Sequence, residues 1–317
     1  MRQILVTGAT GFVGRSVCHA LAGLGFTVRA ALHVERSLPE HVAQSVLVGD
    51  ISQATDWGRA LDGIDTVVHL AAKAHAMSPA LASEQYQLTN AAGTEGLVRA
   101  AVRAGVRRFV YLSSIKVNGE GLADRAYTAL DPPNPRDAYA ISKWLGEKHV
   151  MEVEPTSPPA RVIVRTPLVY GPGVRANFLR LLRWVEKGWP MPLGAIHNSR
   201  SMSSIWNLTH LLTQVVDHPG AAGKTWLVSD GLDLSTPELI ARIGALMGRR
   251  VRLLPVPVAL LRIGGGMFGR ADEIARLCNS LTVDIAATRQ QLAWSPALSV
   301  EESIRRTVRW YISGGGA

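Results

Sequence analysis

Cysteine is nearly absent: the 317 residues carry two, Cys18 and Cys278, 260 positions apart. Such a pair offers neither a disulfide framework nor a Cys-based metal site, and it suits a reducing compartment. Aromatics are also sparse at 6%, although apolar residues together reach 47% and charged residues 19%. With Gly 30 and Pro 17 showing no repeat, this balance excludes a disordered, collagen-like or disulfide-stapled protein. Long uncharged runs are missing. Ser201 to Val216 still contains Asn207, His210 and Gln214 and is too short to cross a bilayer. Met1 to Gly8 runs directly into a strand pattern with no cleavable apolar region, so the expected location is cytoplasmic. Acidic residues are outnumbered, 25 against 34 basic, giving a formal charge of +9. The arginines are spread along the chain, in nothing longer than pairs such as Arg107-Arg108, Arg249-Arg250 and Arg305-Arg306. Nucleic acid is therefore not an expected partner.

What is present is an alternation of strand and helix. Apolar β runs occur at Ile4–Thr7, Val28–Leu32, Val46–Val48, Val67–Leu70, Phe109–Leu112 and Val162–Val164. Helical spacing is seen over Phe12–Leu24, stopped by Gly25, over Glu84–Ala104, closed by Gly105, and over Asp137–Glu152. Short, nearly all-apolar strands between helices predict an α/β fold, a Rossmann-like doubly wound parallel sheet with right-handed crossovers. This dinucleotide-binding domain is expected to span residues 1–170. Residues 171–317 are richer in turns and predict a smaller α/β substrate lobe with helices at Asn177–Lys187, Pro237–Met247 and Val300–Ser313. Part of 200–230 is expected to return to the first domain, and the Gly314-Gly315-Gly316 tail to be frayed.

Three constellations carry chemistry. Thr7-Gly8-Ala9-Thr10-Gly11-Phe12-Val13-Gly14 lies between the first strand and the first helix. Glycines so spaced permit a tight turn, expose backbone N–H groups to a pyrophosphate and let helix pack close to strand. At the end of the second strand stand Arg29, His33 and Arg36, with Glu35 the lone acid, a balance that leans towards a 2′-phosphate and so NADP(H) over NAD(H). Tyr139 and Lys143 share a helix face, and Ser113-Ser114 closes a strand at the carboxyl edge, where open sheets bind ligands. A phenol with an ordinary pKa near ~10 needs roughly 4 kcal/mol of phenolate stabilisation to act as a base near pH ~7. A lysine ammonium one turn away, with a nicotinamide cation, is the expected source.

Together these residues resemble the extended short-chain dehydrogenase/reductases, the NAD-dependent epimerase/dehydratase group acting on nucleotide sugars. The likeness also rests on Gly49-Asp50-Ile51, His69-Leu70-Ala71-Ala72, Asn90 with Gly93-Thr94, and Val169-Tyr170-Gly171-Pro172-Gly173. It implies a catalytic set of Ser114, Tyr139 and Lys143. Ser114 is preferred to Ser113 because it stands five residues before Gly119 and 25 before Tyr139. It implies cofactor contacts from Gly8, Thr10, Gly11, Phe12, Val13, Gly14, His33, Arg36, Asp50, Ile51, Leu70, Ala71, Ala72, Lys73, Asn90, Tyr139, Lys143 and Pro167. Substrate contacts are implied for Lys73, Ser114, Asn177, Leu193 and Arg200, with no metal. An Arg fork and an Asn amide suit a diphosphate.

Within that group the chain looks most like bacterial enzymes that handle UDP-N-acetylhexosamines for surface polysaccharide. The implied reaction is reduction of a UDP-4-keto-6-deoxy-N-acetylhexosamine at C4, with UDP-sugar 4-epimerisation as the alternative and a non-catalytic NAD(P)-binding protein as a second. Dehydration is disfavoured, because the acid pair that dehydratases carry after the catalytic hydroxyl is Ile115-Lys116 here. The helices at Glu84–Ala104 and Asp137–Glu152 resemble those that pair in homodimers of the family.

Overall fold

The computed structural model describes residues 2–74, 79–122, 125–152 and 159–315. Among these, nine strands follow in chain order: β1 (Gln3–Thr7), β2 (Thr27–Leu32), β3 (Gln44–Leu47), β4 (Thr66–His69), β5 (Arg108–Ser114), β6 (Ala160–Thr166), β7 (Leu168–Tyr170), β8 (Met202–Ser204) and β9 (Lys224–Leu227). Seven of them form one sheet in the order β3-β2-β1-β4-β5-β6-β9, and every pairing is parallel. The chain winds outward from β1 to β3, then returns to β4 on the other side of β1. The order therefore reverses between β1 and β4, and the crevice outside their carboxyl ends is where such sheets take ligands.

The helices are α1 (Phe12–Gly23), α2 (Gly58–Leu61), α3 (Pro79–Tyr86), α4 (Gly93–Arg103), α5 (Ala138–Glu152), α6 (Ala176–Glu186), α7 (Ile205–Asp217), α8 (Thr236–Leu246), α9 (Val258–Met267), α10 (Ala271–Cys278), α11 (Ala286–Leu292) and α12 (Val300–Trp310). Strand residues alternate between two apolar layers, as a pleat covered on both faces requires. Ile4, Val6, Val110 and Val162 pack with Val17 and Leu21 of α1 and Leu208 and Leu212 of α7. Leu5, Phe109, Tyr111 and Ile163 pack with Leu97 and Ala101 of α4 and Val150 of α5. A separate core joins Phe178 and Leu182 of α6 to Ile240 and Ile243 of α8 and Ile304 and Val308 of α12. Both cysteines are free thiols.

Several boundaries differ from the sequence expectation. The helix read at Glu84–Ala104 begins at Pro79 and is not uniform, since a widened π-type turn, Gln87–Ala92, separates α3 from α4. Such turns are frequent at functional sites, and this one contains Asn90. The second lobe holds α9 and α10 besides the three helices expected there, whereas α11 packs through Leu292 on the core of the main sheet; Gly264-Gly265-Gly266 hides the periodicity of α9. Of the tail, Gly316 lies outside the described residues.

Candidate active site

The glycine turn lies at the β1 end of the crevice. Gly8 adopts φ +68°, a conformation that costs glycine nothing, and a Cβ there would stand 2.8 Å from the Ala71 nitrogen. Gly14 presses against the Gly8 carbonyl with no room for a side chain. Gly11 caps α1 in extended conformation with no side-chain hydrogen bond, and no acid occupies the first turn. The N–H groups of that turn and the helix dipole are thus available to an anion, and the backbone around Gly8, Thr10, Gly11 and Val13 could hold the diphosphate of a dinucleotide. Phe12 leaves the turn to pack on the core of the second lobe.

Behind the turn runs a buried hydrogen-bond chain. Thr94 Oγ1 donates to the Asn90 carbonyl at 2.7 Å, so it must accept from His69 Nε2–H at 2.9 Å. Burial, with the positive charge of Lys143, pushes the His69 pKa down to about 3, so the ring is neutral and Nδ1 accepts from Thr7 Oγ1 at 2.6 Å. Thr7 Oγ1 in turn accepts from Ala71 N–H at 3.1 Å. Asn90 closes the other end. Its Oδ1 accepts from Lys73 N–H at 2.8 Å, and its Nδ2 donates to the Lys73 carbonyl at 2.9 Å and to Ser142 Oγ at 3.0 Å. Segment 71–73 is held at both ends, with Ala72 and Lys73 left exposed. Asn90 is 1% exposed and fully committed, so it supports this wall rather than facing the crevice.

Ser114, Tyr139 and Lys143 meet at the carboxyl edge of β5. The Ser114 hydroxyl stands near enough to the Tyr139 phenol to hold its pKa down, and its Oγ accepts from Lys116 N–H at 3.3 Å. Ser113 points to the other face of the strand, its hydroxyl buried without a partner among the described residues. Tyr139 also sets its ring edge-on to Tyr86, with centroids 5.8 Å apart. Asp137 positions the helix by accepting from Ala140 N–H at 2.7 Å, while its other oxygen accepts from Lys116 Nζ at 2.5 Å.

The expected electrostatics of this trio needs correction. Desolvation raises the Tyr139 pKa to about 12, with the charges of Asp137 and Tyr86 adding to it and the Ser114 hydrogen bond opposing it. Desolvation lowers the Lys143 pKa to about 7, against the pull of Glu147. The ammonium lies 4.0 Å above the Tyr111 ring, not on the phenol oxygen, so the protein alone does not deliver the acidified tyrosine that the i, i+4 spacing suggests.

Sequence reasoning missed the brace behind this trio. The Arg165 guanidinium donates to both Glu147 oxygens, at 2.9 and 2.6 Å, and through Nη1 to Asn118 Oδ1 at 2.9 Å. The signal was available: Glu147 continues the Tyr139, Lys143 spacing by one more turn.

The remaining residues have other surroundings. His33 Nδ1 lies 3.3 Å from Asp50 Oδ1, both well exposed, and Arg36 is exposed beyond β2. Arg29, counted with them from sequence, is spent elsewhere, on Gln44 Oε1, Gln3 Oε1 and the carbonyls of Ala60 and Asp62. Ile51 packs against Gly93, Leu70 packs on the sheet core, and Pro167 links β6 to β7. Asn177 accepts from Arg180, and Leu193 is buried in the core of the second lobe. Arg200 donates through Nη1 to the carbonyls of Arg276 and Asn279, at 2.7 and 2.8 Å. Among the described residues no cluster could hold a metal ion, and no helix is long and apolar enough to cross a membrane.

A reversed parallel sheet, a bare glycine turn and a Ser–Tyr–Lys edge define a dinucleotide-binding oxidoreductase of the short-chain dehydrogenase/reductase class. Comparison with known proteins sharpens this. Residues 4–210 match the NAD dependent epimerase/dehydratase family, and the chain belongs to that family. It is 39% identical over 316 residues to a UDP-glucose 4-epimerase of Vibrio cholerae, covering 98% of this chain and 96% of that one. It is 27% identical to an N-acetyl-alpha-D-glucosaminyl-diphospho-ditrans,octacis-undecaprenol 4-epimerase of Escherichia coli O157:H7, covering 86% and 80%. The crystal structure of MoeE5 in complex with UDP-glucose and NAD superposes with a TM-score of 0.80 at 24% identity, covering 98% and 99%.

Proposed function

We propose that the chain is an NAD-dependent oxidoreductase acting at C4 of a UDP-linked hexose or N-acetylhexosamine, and that it works as a 4-epimerase. The observation that carries this reading is the Ser114 hydroxyl set close to the Tyr139 phenol, at the same sheet edge as a glycine turn shaped for a dinucleotide. Sequence alone put reduction of a 4-keto sugar first. The 39% relative, a UDP-glucose 4-epimerase, reverses that order. Dehydration remains disfavoured, since Ile115 is buried and Lys116 is ion-paired with Asp137 and Glu120, leaving no carboxylic acid at either position.

A bound nicotinamide supplies the site with its hydride acceptor and donor. With a cationic nicotinamide lowering its pKa, the Tyr139 phenolate would take the proton from the C4 hydroxyl and give it back, with Ser114 holding the same oxygen in line with the phenol. Lys143, brought by burial to a pKa of about 7, is close to half protonated at neutral pH and holds its nitrogen over the Tyr111 ring. Asn177 and Arg200 are the proposed diphosphate contacts, Arg200 with the guanidinium nitrogens not already given to the Arg276 and Asn279 carbonyls. NAD(H) is preferred to NADP(H), because Arg29 is withdrawn from the β2 end and Asp50 stands beside His33. The carboxylate suits a ribose hydroxyl better than a phosphate. A homodimer through α3, α4 and α5 is proposed with it, and light scattering tests that.

Incubating the protein with UDP-glucose or UDP-N-acetylglucosamine and NAD, and reading the sugar by NMR, tests the reaction. The 4-epimer should accumulate with no net gain of reduced-cofactor absorbance. Stoichiometric loss of that absorbance with a UDP-4-keto-6-deoxy sugar, and no epimer, would make the enzyme a reductase. If UDP fails to protect the fold against heating, the nucleotide-sugar reading itself fails.

A further inference from the structure

Four strongly exposed apolar side chains lie on α9 and at its end. Leu260, Ile263 and Met267 follow one another along one side of α9, and Phe268 ends the helix; their exposures are 58%, 61%, 79% and 81%. The opposite side of α9 packs inward, with Gly265 buried against Ile274 of α10. A face of this size is unusual on a soluble surface and marks a contact.

Its surroundings say what kind of contact. From Leu239 to Ala271 the chain contains no Asp, Glu or Lys but has six arginines: Arg242, Arg249, Arg250, Arg252, Arg262 and Arg270. Arg242 is paired with Glu301, whereas the other five side chains are exposed. Arg262 flanks the apolar face of α9, and Arg270 follows Phe268 in the turn to α10. The sequence reading treated the arginines as evenly spread; in this stretch five stand exposed, Arg262, hydrogen-bonded to Asn279, and Arg270 next to the apolar side chains, with Asp272 and Glu273 the next acids along the chain. Exposed Leu, Ile, Met and Phe with a rim of Arg is the chemistry of an interfacial helix, which sinks its apolar face among acyl chains while its cations meet lipid phosphates.

We infer that the exposed face of α9 and its turn into α10 dock this protein on the surface of an anionic lipid bilayer. The attachment is peripheral, since no described helix is long and apolar enough to span a membrane. The last turn of α10 and the residue after it give the carbonyls of Arg276 and Asn279 to Arg200, the residue proposed to contact the diphosphate. Docking does not depend on which sugar the site takes.

Sedimentation with phosphatidylglycerol-containing vesicles, against phosphatidylcholine vesicles alone, tests the inference. The wild-type chain should pellet with the anionic vesicles at low salt, be released as salt rises, and stay in solution with the neutral ones. Replacing Leu260, Ile263, Met267 and Phe268 together by Ser should abolish pelleting while circular dichroism is unchanged. Arg262→Gln and Arg270→Gln should each lower the partition coefficient about fivefold, which keeps the test sharp if the quadruple variant misfolds. A wild-type chain that ignores anionic vesicles, or variants that pellet like it, would overturn the inference. So would conversion of a dimer to monomers by the quadruple variant in sedimentation velocity, which would assign the face to a second copy.

Discussion

Glu147 and Arg165 form a two-pronged ion pair in the seam between α5 and β6, each side chain only 6% exposed. With the third bond to Asn118, the pair ties together the helix of Tyr139, the strand beside β5 and the loop just after Ser114. Planar fork geometry makes this pair directional as well as strong. Removing one partner leaves a buried charge alone, so Glu147→Gln and Arg165→Met should each cost about 3–5 kcal/mol in urea unfolding. Replacing both by apolar residues should cost less than either single change. A Glu147→Gln protein as stable as wild type would show that the seam tolerates an uncompensated guanidinium.

Lys143 should leave a signature in the pH dependence of stability. Its ordinary pKa is 10.5 and burial brings it to about 7 in the fold. Between those values the unfolded chain binds a proton that the native chain does not, so stability rises with pH across that window. Lys143→Met should flatten that rise and be the more stable protein at the acidic end. Urea midpoints measured through the window decide it, and parallel curves for the two proteins would contradict the assignment.

Turnover should collapse in Tyr139→Phe, by about 10²–10⁴-fold, while cofactor titration by fluorescence stays close to wild type. Ser114→Ala should lose about 10²-fold, mainly in kcat. Undiminished turnover in Tyr139→Phe would remove the phenol from the mechanism.

Gly8→Ala forces a Cβ into a left-handed conformation and against the backbone of Ala71, at a cost of about 1–2 kcal/mol for the conformation alone. Dinucleotide affinity should fall well beyond the loss of stability, as isothermal titration would record. Retained affinity would mean that the turn is not where the diphosphate sits.

Much of the fold was legible because parallel strands covered on both faces read as short apolar runs, and the glycines and Tyr139-x-x-x-Lys143 fall at their junctions. What sequence could not convey was partnership. Arg29 looks like a cofactor ligand by position, yet its guanidinium finds five acceptors on its own sheet edge and on the α2 turn. Lys143 looks like the partner of a phenol, yet the nearest π face is that of Tyr111, a residue 32 positions earlier. Leu193 was expected to touch the substrate, and its side chain packs into the second core. Local spacing reports which face a residue occupies, whereas its neighbours across the sheet come from topology.

The one-way chain from Ala71 through Thr7, His69 and Thr94 to Asn90 also bears on how kinetic curves are to be interpreted. Every proton in it already has an acceptor, and its imidazole takes up another only near pH 3. The crevice floor therefore keeps one protonation pattern wherever the enzyme is folded. A bend in a rate profile around neutrality is then expected from the lip, where burial brings the Lys143 amine to about 7 while Tyr139, raised to about 12, keeps its proton.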